Sequence, residues 1–261
     1  MHDRVRATAV LIAAWAQIAG GPLGTAVAGR SIADVSDRTR SLLTPAGWAF
    51  TIWALVFASS VAWAVYQALP RQRERAVHRR TGWLLAAAFA GNAVWEIVFP
   101  LVGEALPVVP LVLLVAIVTA TAVAFTRLQD LPVHGLARVL PAALTGLLLG
   151  WVTVATAADV GSSGVAWGAA PTGPAAQAWA VGAVLAVAAV AAALTLAARV
   201  AVGPFVLAVA WGLSAIAAAA DPVPVTVAAG AAAAAVALVL VARVLVARTR
   251  ARPDPRTLLI G

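Results

Sequence analysis

Residues 45–69 read PAGWAFTIWALVFASSVAWAVYQAL, twenty-five positions without one charged side chain. A helix rises about 1.5 Å per residue, so this run can cross the roughly 30 Å hydrocarbon core of a bilayer. Similar apolar runs lie near 7–29, 82–103, 106–127, 138–160, 177–198, 201–220 and 223–247. Composition agrees, since the 261 residues are 63% hydrophobic and only 11% charged. A soluble domain is nearer half apolar and about a quarter charged. The expected fold is an all-α, polytopic membrane bundle of about eight transmembrane helices. The first run is too long for the apolar part of a signal peptide and reads as a span.

The formal net charge is +8, but the basic residues sit in short loops between apolar runs. They therefore read as topology determinants and not as a nucleic-acid surface. All 18 are Arg; without a Lys there is no Schiff base for a retinal. With no Cys, disulfides and thiolate metal sites are excluded. Arg71 to Arg80, Arg127, Arg138, Arg199 and the tail Arg243, Arg248, Arg250, Arg252 and Arg256 fall on one side of an eight-span chain. Glu104, Asp159 and Asp221 mark the other. The positive-inside bias then puts both termini in the cytoplasm and the chain in the cytoplasmic membrane. The loop Arg30 to Thr44, with three Arg and two Asp, runs against that bias. It is long enough to form a lid over the mouth of the bundle. Ser36 and Asp37 are candidate caps of a short surface helix. Thr44-Pro45 reads as an N-cap with Pro at the first helical position, which starts the second span at residue 45.

Ten Trp stand out. Trp48, Trp83, Trp167 and Trp179 lie near span ends and fit an interfacial belt. Trp53, Trp95, Trp151 and Trp211 lie deeper. By the helical rise, Trp53 sits roughly 12 Å below one end of its span, Trp151 roughly 13 Å, Glu96 roughly 10 Å and Asn92 roughly 16 Å. Three helices thus bring Trp, Asn and Glu to one level, where a pocket with polar anchors could sit. Asn92 and Glu96, four apart, share a helix face. A carboxylate inside a span is costly and usually faces the bundle interior; a contact to Gln17 or Thr153 would serve structure, and a ligand would serve function. Asp159 continues the Trp151–Ala155 face but sits near the interface, where a solvated or capping carboxylate is the simpler expectation. His2, His78 and His134 all fall outside the predicted spans, which argues against a haem held by two His. Gly146 and Gly150 form a GxxxG, a signal of close helix packing. No paired-carboxylate, phosphate-loop or nucleophile motif is present.

These residues resemble the translocator protein family, the tryptophan-rich sensory (TspO/MBR) proteins. The family's second-span Pro-x-Trp-x-Phe followed by Trp is similar to Pro45-Ala46-Gly47-Trp48-Ala49-Phe50-Thr51-Ile52-Trp53, with one residue inserted. Its third-span Asn-x-x-Trp is met by Asn92-Ala93-Val94-Trp95, with Glu96 where the family has Ser and Phe99 after it. Its fifth-span Trp-Val is met by Trp151-Val152, with Asp159 in place of Asn, Leu147-Leu148 in place of Pro-Tyr, and Val154 in place of Phe. The resemblance covers about residues 7–160; the last three runs have no counterpart in the five-span family, and the arrangement looks like that of longer bacterial relatives.

The apolar runs predict three further Ala/Val-rich helices over 161–247 and a basic tail over 248–261, and the resemblance implies a TspO-like five-helix bundle over 1–160. It also implies a homodimer in membrane lipid. A hydrophobic small molecule, with a tetrapyrrole as the family's example, would bind in a pocket under the first loop. No cofactor, metal or nucleic acid is implied. Carried over by position, Trp53, Asn92 and Trp151 line that pocket; Trp48, Trp95, Glu96 and Asp159 complete the candidate set. The expectation is a binding or sensory protein and not an enzyme. A proton-coupled transporter using Glu96 is the alternative.

Overall fold

The computed structural model describes residues 2–131, 134–250 and 255–260. Residues 251–254 and 261 of the expected basic tail, Arg252 among them, lie outside the described residues. Among the described residues the regular structure is helical throughout: α1 (His2–Ala28), α2 (Ile32–Arg38), α3 (Ile52–Ala68), α4 (Ala76–Val102), α5 (Val108–Gln129), α6 (Leu136–Ala166), α7 (Pro174–Ala197), α8 (Gly203–Ala219), α9 (Val223–Arg250) and α10 (Pro255–Leu259). A 3-10 turn, Gly47–Thr51, leads into α3. The chain is a multi-pass bundle in which seven of these helices, α3 counted with its 3-10 turn as Gly47–Ala68, are long and apolar enough to cross a membrane.

The seventh expected span, at 201–220, is α8 and falls short. Its 17 residues reach about 25 Å. It nevertheless runs from one face of the bundle to the other. At one end Ala201 and Val202 donate backbone N–H to Thr257 and Leu258 carbonyls of α10, both at 2.9 Å. At the other end the Ala46 N–H reaches the Ala215 carbonyl at 3.0 Å. Non-helical backbone beside a short span is tolerated where protein satisfies its polar groups.

Two rings of helices share α6. In the first, α1 packs on α4, α4 on α5, α5 on α6, α6 on α3, and α3 back on α1. In the second, α6 packs on α8, α8 on α9, α9 on α7, and α7 on α6. Each ring has its own apolar core. Shared by both, α6 is buried without a break from Leu144 to Val152, as a helix surrounded by others must be. The expected close packing at Gly146 and Gly150 is present. A Cβ at Gly150 would stand 2.5 Å from the Phe205 carbonyl oxygen and 2.8 Å from Ala208 Cβ on α8.

The same device joins α1 to α4. A Cβ on Gly24 would land on the Glu96 carbonyl oxygen and lie 3.0 Å from Ile97 Cα, both backbone atoms that cannot swing aside. Gly21, one helical turn away, has nothing within 4 Å of such an atom. Gly24→Ala is therefore expected to cost about 1–3 kcal/mol by overpacking. Gly21→Ala should be neutral or stabilising by up to about 1 kcal/mol, from helix propensity alone. Reversible unfolding in mixed micelles compares the two, and equal effects would refute this account of the α1–α4 contact.

Several boundaries differ from the sequence reading. Helix α4 starts at Ala76, so His78 lies in its first turn and not in a loop. The Arg-rich sequence there looks like a loop, but it is stitched to α1: Arg79 Nη2 and Asp3 Oδ2 are 2.6 Å apart, and Arg6 of α1 donates to the Arg73 carbonyl. The His78 ring is fully buried, 6.0 Å from Trp63 and 5.9 Å from Tyr66. His2 and His134 are exposed. Helix α6 runs to Ala166, which puts Asp159 about two turns before the helix end, buried and not solvated. The small residues Gly161 to Gly164 read as a loop, yet Ser163 Oγ reaches the Pro107 carbonyl at 3.4 Å and anchors that last turn.

The loop after α1 also departs in detail. Ser31, not Ser36 or Asp37, caps α2: its hydroxyl accepts the Asp34 N–H, and the Asp34 carboxylate accepts the Ser31 N–H in return. The Ser31 N–H and the Ser31 hydroxyl both donate to the Asp34 carboxylate and hold it below the ordinary carboxylate range. Thr44 caps no helix; its hydroxyl takes the Ser41 N–H at 3.0 Å, and the helical turn starts at Gly47. The loop's positive charge is neutralised locally. Arg30 and Arg38 converge on Glu104 at 3.2 and 3.7 Å, and Arg40 pairs with Asp37 at 3.3 Å. Arg30 Nε also donates to the Pro100 carbonyl at 2.6 Å, near the end of α4. This explains how three Arg can sit on the face opposite the Arg-rich one.

Candidate functional site

The loop 29–46 folds back over the first ring and roofs a cavity. Ile32, Ser36, Thr44 and Pro45 form the lid; Phe50, Trp95, Phe99 and Trp151 form aromatic walls; Val154, Ala155, Ala158, Asp159 and Ser162 complete the lining from α6. The α6 residues fall on one face because 151, 155 and 159 are successive i+4 steps. Trp151 is 2% exposed, held edge-on by Phe50 at 5.7 Å and Trp53 at 6.2 Å between ring centroids. Trp95 stacks on Phe99 at 4.8 Å. Such pairs favour offset or edge geometries and fix ring orientation. Thr39 Oγ1 and Ser162 Oγ, 2.5 Å apart, latch the lid to α6.

The cavity holds one carboxyl group, that of Asp159. It is 6% exposed, and its Oδ2 has no hydrogen-bond partner. Buried polar atoms are nearly always paired, so this oxygen is available to a guest. The buried Trp95 Nε1 is likewise unpartnered. Free space under the closed lid is about 60 Å³, room for about two waters at roughly 30 Å³ each.

Of the seven candidate residues, Trp95, Trp151 and Asp159 line this cavity. Trp53 stands behind Trp151, stacked on Phe57 at 5.3 Å. Asn92 and Glu96 do not face it. Successive helical residues are about 100° apart, so with Trp95 turned to the cavity Glu96 turns to α1. There the Asn92 Nδ2 donates to Gln17 Oε1 at 3.4 Å. The Glu96 carboxylate lies against Gly20, where any side chain would strike its Oε2. Thr153 takes no part, since its hydroxyl bonds the Leu149 carbonyl of its own helix. Trp48 is 44% exposed and meets Trp211 edge-on at 4.7 Å, while Trp211 Nε1 donates to the Ala49 carbonyl at 2.9 Å. This pair docks α8 onto the first ring.

The reading of the sequence missed the lid residues and Phe50 as lining groups. Phe50 had a signal, as the Phe of the Pro45–Trp53 motif. Pro45 opens the same motif, whereas Ile32 and Ser36 had no signal as lining groups beyond loop length.

An all-helical bundle with a lidded aromatic cavity in its first ring defines a multi-pass membrane protein with an apolar cavity on one face. The chain matches the family model described as TSPO-like protein over residues 6–243 and belongs to that family. The match extends through α7, α8 and most of α9, beyond the stretch on which the resemblance was seen. Neither a curated protein nor a solved structure matches it.

Proposed function

We propose that this protein binds a hydrophobic small molecule under the lid and acts as a binding or sensory protein and not as an enzyme. The observation that carries this is the joining of four aromatic rings with one unpartnered carboxyl oxygen, Asp159 Oδ2, beneath a single loop. Rings supply apolar contact, and the carboxyl orients a polar edge of the guest. Small-molecule sites usually offer about 300–1,000 Å³, so the guest enters by displacing the lid. Membership of the TSPO-like family supports protoporphyrin as the first probe. The same reading puts the lid outside and both termini in the cytoplasm. A proton-coupled transporter ranks second. Glu96, the carboxylate that suggested it, faces α1, which leaves Asp159 as the one within reach of a guest in this cavity.

Titration of purified protein with protoporphyrin, followed by tryptophan quenching, tests the site. Trp151→Phe and Ala155→Leu should each weaken saturable binding at least tenfold, about 1.4 kcal/mol. Asn92→Ala should leave it within about twofold, because Asn92 faces Gln17. Unsaturable quenching, alike in all four proteins, would mean partitioning without a site.

A further inference from the structure

A larger cavity lies on the lid face outside the first ring. It offers about 390 Å³, within the usual range for a ligand site. Its walls are the end of α6, the start of α7, and Leu42 and Leu43 on the far side of the lid loop. Apart from the Ser41 hydroxyl and the two indole N–H groups, the lining offers no polar side chain. Trp167 and Trp179, each 64% exposed, line it and open it to the surface. Tryptophans near span ends sit at the headgroup level of a bilayer, and Trp179 is roughly 8 Å along α7.

Two glycines of α6 border this cleft, for different reasons. A side chain at Gly161 would meet Ser41 Oγ at 2.6 Å, so the packing of the lid loop requires glycine there. Gly164 is under no such demand: the nearest atom to a Cβ would be Ala169 Cβ at 3.8 Å, ordinary contact. Glycine is a poor helix former. What the bare backbone at Gly164 does is keep the cleft open. Arg40, the residue before the lining Ser41, is exposed, and among the described residues its ion pair is with the exposed Asp37 at 3.3 Å. Such a surface pair is weak, and a phosphate can compete for the guanidinium.

We infer that this cleft is a lipid site, taking one acyl chain of a phospholipid from the leaflet on the lid face with its phosphate beside Arg40. The occupant is a lipid because the opening lies between two tryptophans near span ends, where lipid is the solvent, and because an apolar slot with an exposed cation one residue along the chain from its lining matches an acyl chain with an anionic head. The site is separate from the cavity under the lid, although the lid loop forms a wall of both.

The test uses the full chain in phosphatidylcholine vesicles containing phosphatidylglycerol with a photoactivatable diazirine on one acyl chain. Crosslinks are mapped by mass spectrometry. Labelling of 160–180 and 41–43 should saturate as the probe's mole fraction rises. It should fall at least fivefold in Gly164→Leu, and equally in Ala176→Leu, which fills the cleft from the opposite wall. Labelling at the exposed Leu185 and Leu196 should stay proportional to probe and unchanged by either variant. Cleft labelling that never saturates, or that both variants leave intact, overturns the proposal. Gly164→Leu should bind protoporphyrin as the unaltered protein does, since Gly164 is not among the residues lining the lidded cavity; the two readings therefore fail separately.

Discussion

Trp151→Ala is expected to lower the stability of the folded bundle by about 3 kcal/mol, the low end of the range for removing a buried Trp. The low end applies because lipid is as apolar as a leucine core, so little transfer energy is lost when an unfolded span meets the bilayer. What is lost is packing. Trp151 is the common neighbour of Phe50 and Trp53 and sits on the helix that both rings share. Removing the indole leaves a hole that backbone-tight neighbours cannot close, since α6 is pinned to α8 through Gly150. Trp151→Phe keeps most of the ring volume and should cost about 1 kcal/mol. Unfolding of the two variants in mixed micelles checks this, and a loss below about 1 kcal/mol for the alanine would show that the aromatic cluster does not support the bundle. Because Trp151→Phe should still fold, its effect on binding reports the site and not collapse of the protein.

Much of the fold was legible in the sequence because a span is announced by length and apolarity alone. The connections were less so. The Arg75–Arg80 stretch reads as a loop, but α4 passes through it, with Arg79 paired to Asp3 of α1. Gly161 to Gly164 reads as the end of a span, yet α6 continues because the lid and Pro107 supply contacts along the chain. Such helix ends are decided by partners distant in sequence.

The site was half legible for a related reason. Depth along a span follows from counting residues, and it brought Trp53, Asn92, Glu96 and Trp151 to one level. Depth says nothing of the direction in which a side chain points. Asn92 and Glu96 share the level of the cavity but face α1, and what marks that face is Gly20 and Gly24, which let the two helices approach. Asp159 went the other way: its position seemed solvated only because the end of α6 was placed too early. The second ring, built on α6, could not be drawn from Ala- and Val-rich runs, whose faces differ little from one another.

The central claim is that the loop 29–46 is a lid that must open for a guest to enter. Thr39 and Ser162, whose hydroxyl oxygens are 2.5 Å apart, join lid to α6. Their side chains are close enough for cysteines to bridge, given a usual Cβ separation of about 3.5–4.5 Å. The chain has no cysteine of its own, so Thr39→Cys with Ser162→Cys can form only this intramolecular disulfide. With about 60 Å³ under the closed lid, the bridged protein has no room for a ring as large as protoporphyrin. The decisive measurement is one protoporphyrin titration of that double variant, oxidised and then reduced. The account predicts no saturable binding while the bridge is closed, and saturable binding, at least tenfold tighter, once it is reduced. Equal affinity in both states would contradict it and place the guest elsewhere on the protein.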